Sequence, residues 1–222
     1  MWLYDLPSCD STNTWALQHL TELHHGDVVF TPNQTQGRGQ YGRSWHSGGF
    51  TASFVLEVRD LTAVSLQVGL LVCQGLVDLM PSLNSDLQLK WPNDLMLAGR
   101  KLGGILCEVR TISSQTKLVA GIGLNVSSCP VVGAACLTEF GSPPEPAALL
   151  ERLRALLVLP WNHTAILANF GDRDFLHHKQ IGVELGAETL WGKAMGISDR
   201  GELILMLANN QLKLFSSGHI HW

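Results

Sequence analysis

Two arginines, Arg38 and Arg43, stand in a run framed by Gly37, Gly39 and Gly42, and no Asp or Glu occurs between Val28 and Leu56. The chain as a whole carries a formal net charge of -4. A cationic stretch on backbone that can approach a ligand closely suits a small anion, above all phosphate. Neither arginine has a carboxylate near it in sequence. A solvated surface loop has the same composition, so the loop alone leaves both readings open. The spacing also fits a dinucleotide-binding fingerprint, which requires a helix to open inside the loop. Residues 43–49 carry no helical apolar period, and Thr51 to Val58 is rich in β-formers. The loop therefore joins strand to strand, and a nicotinamide site ranks behind a phosphate cradle.

A second set comprises Lys90, Asn93, Asp94 and Lys101. Asp86 to Trp91 alternates, with Leu87, Leu89 and Trp91 on one face and Asp86, Gln88 and Lys90 on the other. Pro92 breaks that strand, and the runs around Ala98-Gly99 form a hairpin that brings the four residues together. Solvated lysines are the plain alternative, weakened by Gly103-Gly104 directly after Lys101. Lys117 to Val126 reads as a buried strand with Gly121, Gly123 and Asn125 on one face. Such a bare face admits a ligand or another backbone; a core strand with a bulge is the alternative. Ser11 to Thr14 cap a helix running to Leu23 and ended by Gly26. His219 and His221 place two imidazoles on one strand face, with no third ligand in sequence reach. His24-His25 and His177-His178 read as solvated, and no Gly-x-Ser-x-Gly nucleophile occurs.

The elements that must position these groups follow from the same patterns. Asp27 to Thr31 is a short strand. Thr62 to Met80 is apolar on nearly every face and approaches the length of a membrane span. Gly69, Gly75, Gln67, Gln74 and Asp78 interrupt it, which makes it a buried core helix. Ala147 to Phe170 carries helical periodicity broken at Pro160, after a Pro-rich turn at 142–146. From Lys179 onward short β runs turn at Gly186, Gly192, Gly196 and Gly201, a small barrel-like unit. With 222 residues, 45% hydrophobic and 15% charged, the chain is globular. A pI near 6.1 argues against nonspecific nucleic-acid binding. Five cysteines without a C-x-x-C pair predict reduced thiols and a cytoplasmic protein. Asp5, Pro7 and Asp10 interrupt any apolar leader.

Taken in order, STNTW (11–15), GRGQYGRSW (37–45), KWPND (90–94), RKLGGIL (100–106) and GIGLNV (121–126) closely resemble the biotin protein ligases. KWPND followed by RKLGGIL is the specific part. The resemblance implies an α+β fold: a catalytic domain over 1–176, similar to class II aminoacyl-tRNA synthetases, with a mixed sheet flanked by helices. A small SH3-like β-barrel over 177–222 completes it. It implies that biotin and ATP form biotinyl-5′-AMP, and that biotin passes to a lysine of a biotin carboxyl carrier protein. Lipoate ligases share the fold but lack this motif combination; a non-catalytic nucleotide-binding module is the further alternative.

The resemblance also implies roles. Ser11, Thr12, Asn13 and Gln34 bind the biotin head, Gly37 and Arg38 close over it, and Gly121 and Gly123 line its tail. Lys101 and Gly104 lie beside the biotin carboxylate and the ATP α-phosphate. Gln40 and Arg43 meet phosphate, while Trp45, Asn93 and Asn125 hold the adenine. Lys90 adds positive charge, and Asp94 lies near the incoming lysine. Mg²⁺ rides mainly on the nucleotide phosphates. No DNA-binding domain precedes Ser11, so neither nucleic-acid nor membrane binding is expected, and an exposed edge strand of this fold suits a homodimer. Two positions depart from the family pattern: Gln40 replaces a second loop arginine, and His219 follows Gly218 where an acidic residue is usual.

Overall fold

A computed structural model describes residues 2–46, 49–112, 114–129, 131–186 and 188–222. In chain order the elements are β1 (Leu3–Asp5), α1 (Thr12–Gln18), β2 (Val28–Thr31), β3 (Gly49–Glu57), α2 (Val64–Leu79), β4 (Leu87–Lys90), β5 (Asp94–Leu97), β6 (Arg100–Ile112) and β7 (Gln115–Asn125). They continue with α3 (Pro146–Leu157), α4 (His163–Ala168), β8 (Gln180–Leu185), β9 (Glu188–Ile197), β10 (Leu203–Met206), β11 (Leu212–Phe215) and β12 (His219–His221). Strands β1 to β7 make one sheet in the order β1-β2-β3-β7-β6-β5-β4. Only β1 and β2 run parallel, so the sheet is mixed.

Alternation decides β4, where Leu87 and Leu89 are buried while Gln88 and Lys90 are half-buried. The glycines of α2 let neighbours approach. A Cβ on Gly69 would come 2.7 Å from Leu89, and one on Gly75 would come 2.8 Å from Leu153. α2 is thus a core helix, and no helix among the described residues is long and apolar enough to cross a membrane.

Ser11 caps α1 and accepts from the Thr14 amide at 3.5 Å. The helix stops at Gln18, short of the run expected to Leu23. Lys117 Nζ, buried under this segment, donates to the carbonyls of Leu20 and Leu23 at 3.0 and 2.6 Å. Those oxygens are thereby satisfied without further helical turns.

The second sheet is antiparallel, in the order β11-β10-β9-β8-β12, with no ladder joining β11 to β12 among the described residues. Gly186 and Gly201 turn with φ of +61° and +73°. Gly192 and Gly196 do not join strands: both lie within β9, where a Cβ on Gly192 would come 2.5 Å from the Met206 carbonyl oxygen. The two sheets share one hydrophobic core. Trp91, 2% exposed, donates from Nε1 to Gly201 O at 3.0 Å, and the Phe175 amide donates to Leu89 O at 3.2 Å. Truncating a buried aromatic of this kind costs about 3–5 kcal/mol. The second sheet is therefore fixed at the end of β4, beside Lys90.

Candidate active site

The cleft between the two sheets holds about 930 Å³ free of protein atoms, its solvent mouth included. Its polar end is built from the start of α1. The Thr12 amide donates to Gln34 Oε1 at 2.8 Å, which fixes the orientation of that side chain. Ser53 Oγ, on β3, lies 2.7 Å from Thr12 Oγ1 and 2.6 Å from Asn13 Oδ1. Asn13 Nδ2 donates to Leu106 O and Glu108 Oε2, both at 3.0 Å. The Asn13 amide occupies the space a Cβ on Gly121 would need. Hydroxyls and amides that saturate one another in this way form a rigid floor.

The glycine loop spans β2 to β3, which are antiparallel neighbours, and its described residues contain a single 3₁₀ turn, Gln40–Gly42. Among its described residues no α-helix opens, so the dinucleotide geometry is not formed there. It closes on itself through Gly39 N to Arg43 O at 2.7 Å and Trp45 N to Gly37 O at 2.8 Å. Arg38 does have a carboxylate partner, Glu108, 70 positions along the chain. Arg43 Nη2 lies 3.0 and 3.1 Å from Nδ1 and Nε2 of His219. Burial first, then the positive charge of Arg43, hold the His219 imidazole below its ordinary pKa. The Trp45 indole packs over Gly123, and its buried Nε1 has no partner among the described residues.

The third wall is the hairpin. Asp94 Oδ1 accepts from Lys101 Nζ at 2.5 Å, and Oδ2 from Lys90 Nζ at 3.5 Å. Asn93 is tied to Ile105 through its side-chain amide at 2.8 Å and its carbonyl at 2.9 Å. Burial pushes the Lys90 ammonium below its ordinary pKa; Asp94 opposes this, while Lys101 and Arg43 add to it. Gly218, His219 and Ile220 of the second sheet close the remaining side. Four cations, Arg38, Arg43, Lys90 and Lys101, thus face a cleft whose lining holds one carboxylate, Asp94. Both oxygens of Asp94 face ammonium groups, so the wall suits a Mg²⁺ carried on phosphates better than one held by protein ligands.

The residues to which the resemblance assigns roles line this cleft, with two exceptions. Gly37 lies behind it, under the Trp45 carbonyl and the Gln34 amide. Asn125 is buried, and its Nδ2 donates to Ala135 O at 3.1 Å, because the segment after β7 folds back over it. Its Nδ2 is thereby taken, while its buried Oδ1 has no hydrogen-bond partner among the described residues. Sequence reasoning missed Ser53, Thr51, Glu108 and the β12 wall. Ser53 and Thr51 sit opposite Gly121 and Gly123 in the ladder, so strand parity carries a signal for them. Glu108 has no local signal.

A sequence model of the biotin/lipoate A/B protein ligase family matches residues 6–125, more than half of the chain. The chain belongs to the biotin/lipoate A/B protein ligase family. A second model, the biotin protein ligase C-terminal domain, matches residues 178–221. The ligase is 31% identical over 218 residues to the bifunctional ligase/repressor BirA of Escherichia coli, covering 90% of this chain and 68% of that protein. It is 29% identical over 214 residues to a biotin–[acetyl-CoA-carboxylase] ligase of Mycobacterium tuberculosis, covering 88% and 79%. The fold superposes on a biotin protein ligase from Aquifex aeolicus in complex with biotin and ATP. That match has a TM-score of 0.79 and 25% identity, over 99% of this chain and 97% of that one.

Proposed function

We propose that the ligase activates biotin with ATP to biotinyl-5′-AMP and passes biotin to a lysine of a biotin carboxyl carrier protein. The observation that carries this reading is the convergence of Arg38, Arg43, Lys90 and Lys101 on one cleft in a chain of net charge -4. In the first step an oxygen of the biotin carboxylate attacks the α-phosphorus, and pyrophosphate leaves. Two anions 4 Å apart repel by about 4 kcal/mol at the effective dielectric near a protein surface. Each cation in the wall offsets a term of that size and stabilises charge growing on phosphoryl oxygens. A phosphate-borne Mg²⁺ supplies further charge neutralisation.

Thr12, Asn13 and Gln34, the first two held from behind by Ser53, supply a pre-set polar floor for the ureido head. Trp45 offers the nucleotide a buried indole with an unused N–H. The glycine loop, tied to Glu108 through Arg38, covers the mixed anhydride and excludes water. In the second step a neutral lysine amine attacks the acyl carbon and AMP leaves; Asp94 gives the arriving ammonium a carboxylate and draws its proton. Among the described residues, 107–112 of β6 have β7 as their strand partner, and the opposite edge suits an added strand, from the acceptor or from a second copy. Five unpaired cysteines suit a reducing, cytoplasmic setting.

The deciding experiment mixes the protein with biotin, MgATP and a biotin-domain acceptor, with Lys101→Ala in parallel. Label transfer by the wild type and not by the variant is expected. Lipoate in place of biotin tests the sister chemistry, and biotin-dependent pyrophosphate release separates an enzyme from a binding module. Absence of biotin-dependent pyrophosphate release overturns the reading.

A further inference from the structure

The second sheet carries another cluster of ligating side chains at the rim of the cleft. His219 and His221 are two apart on β12, so their imidazoles share a face. Glu184 of β8 stands directly opposite His219 in the antiparallel ladder, and Gly182, opposite His221, puts no side chain in the way. One donor atom from each of the three lies within 4.8 Å of the others. His221 Nε2 is 2.7 Å from Glu184 Oε2, and the two imidazole centroids are 4.7 Å apart at 76°.

We propose that Glu184, His219 and His221 bind a divalent cation of the zinc class. Two imidazoles with one carboxylate form a donor set that Zn²⁺ accepts with a coordination position left open. Imidazole ligands favour zinc, cobalt, nickel and copper over magnesium, so this site is separate from any ion carried by nucleotide phosphates. The placement has a consequence for the cleft. His219 offers one lone pair when neutral, and Arg43 now donates at that imidazole edge. Metal and guanidinium therefore compete for His219, and a bound metal releases Arg43 toward the anion in the cleft. Reciprocity requires that removing Arg43 tighten the metal.

The other cluster of this kind among the described residues, Cys129, Cys136 and Glu139, is the control. Glu139 is already held by Arg100 at 2.7 Å.

The test titrates the full-length, chelator-stripped protein with Co²⁺ near neutral pH and follows its visible absorption. Saturation at one Co²⁺ per chain is expected, unchanged in a Cys129→Ser, Cys136→Ser double variant. His221→Ala should weaken binding by more than about tenfold, and Arg43→Gln should strengthen it. Glu184→Gln, nearly isosteric, carries the same expectation as His221→Ala should that variant fail to fold. Three outcomes overturn the proposal: no saturable binding by the wild type, equal affinity in the Glu184 or His221 variants, or loss of binding in the double cysteine variant.

Discussion

The indole of Trp45 packs against the bare Cα of Gly123: a Cβ there would come 2.5 Å from Cε2, 2.7 Å from Cζ2 and 2.8 Å from Nε1. The contact joins the glycine loop to the central strand β7, and it leaves no room for even one methyl group. Gly123→Ala must push Trp45 outward. Overpacking of this kind costs about 1–3 kcal/mol, and if the ring holds the nucleotide as proposed, a shift of about 1 Å can lower turnover about 100-fold. Tryptophan fluorescence and biotin-dependent pyrophosphate release should change together; a variant with wild-type kinetics would show that Trp45 holds nothing.

Lys101 tests the charge argument in isolation. Its ammonium is partly exposed and its one ion pair is with Asp94, so Lys101→Ala should leave the melting temperature nearly unchanged. If the ammonium stabilises charge on the α-phosphoryl oxygens, adenylate formation should fall about 100- to 1,000-fold. A loss confined to KM would instead mark it as a uniform binding contact.

Lys117 lies far from the reacting atoms yet supports the floor of the cleft. Its ammonium holds the Leu20 and Leu23 carbonyls behind α1, and α1 presents Thr12 and Asn13. Lys117→Met leaves two buried acceptors without donors, a cost of about 1–3 kcal/mol. Denaturant midpoints should drop accordingly, and KM for biotin should rise while kcat stays near wild type. A fall in kcat without loss of stability contradicts this role.

These relationships explain what was legible in the sequence. Local periodicity and glycine placement report strands, the core helix and the loop that joins β2 to β3, because those signals depend on neighbours in the chain. Motif spacing brought Lys90, Asn93, Asp94 and Lys101 together for the same reason: the consecutive antiparallel strands β4, β5 and β6 hold them all. Arg38–Glu108, Asn13–Ser53 and Arg43–His219 pair residues 70, 40 and 176 positions apart, and only the sheet order creates them. Asn125 shows the limit of parity, since strand alternation fixed its face but not the segment that folds back to accept from its Nδ2.

Gln40 opens the 3₁₀ turn of the loop and lines the cleft. A carboxamide there donates a hydrogen bond without charge, so its hold on the adenylate phosphate is weaker than a guanidinium's. Gln40→Arg should retain the intermediate longer and reduce labelling of bystander lysines, measured on a mixed protein background without the acceptor. Equal labelling by both forms would remove the argument.

Asp174 gives the stability a pH dependence. It sits at the join between the sheets, where it bridges Leu89, and its Oδ1 accepts from the Leu176 amide at 2.9 Å. Oδ2 is buried with no hydrogen-bond partner among the described residues. Burial raises the carboxyl above its ordinary pKa, opposed by the Leu176 amide and by His177 and Lys179. The folded state therefore holds this proton more tightly than the unfolded chain. The stabilisation is complete below the unfolded pKa and is lost as pH rises through the folded one. Asp174→Asn keeps the acceptor for Leu176 and cannot ionise. Relative to the wild type, the variant should gain stability steadily as pH rises from acid to neutral. Other carboxylates titrate alike in both forms and cancel in the difference. A difference in unfolding free energy that stays flat across that range would mean that burial does not raise the carboxyl's pKa at the join.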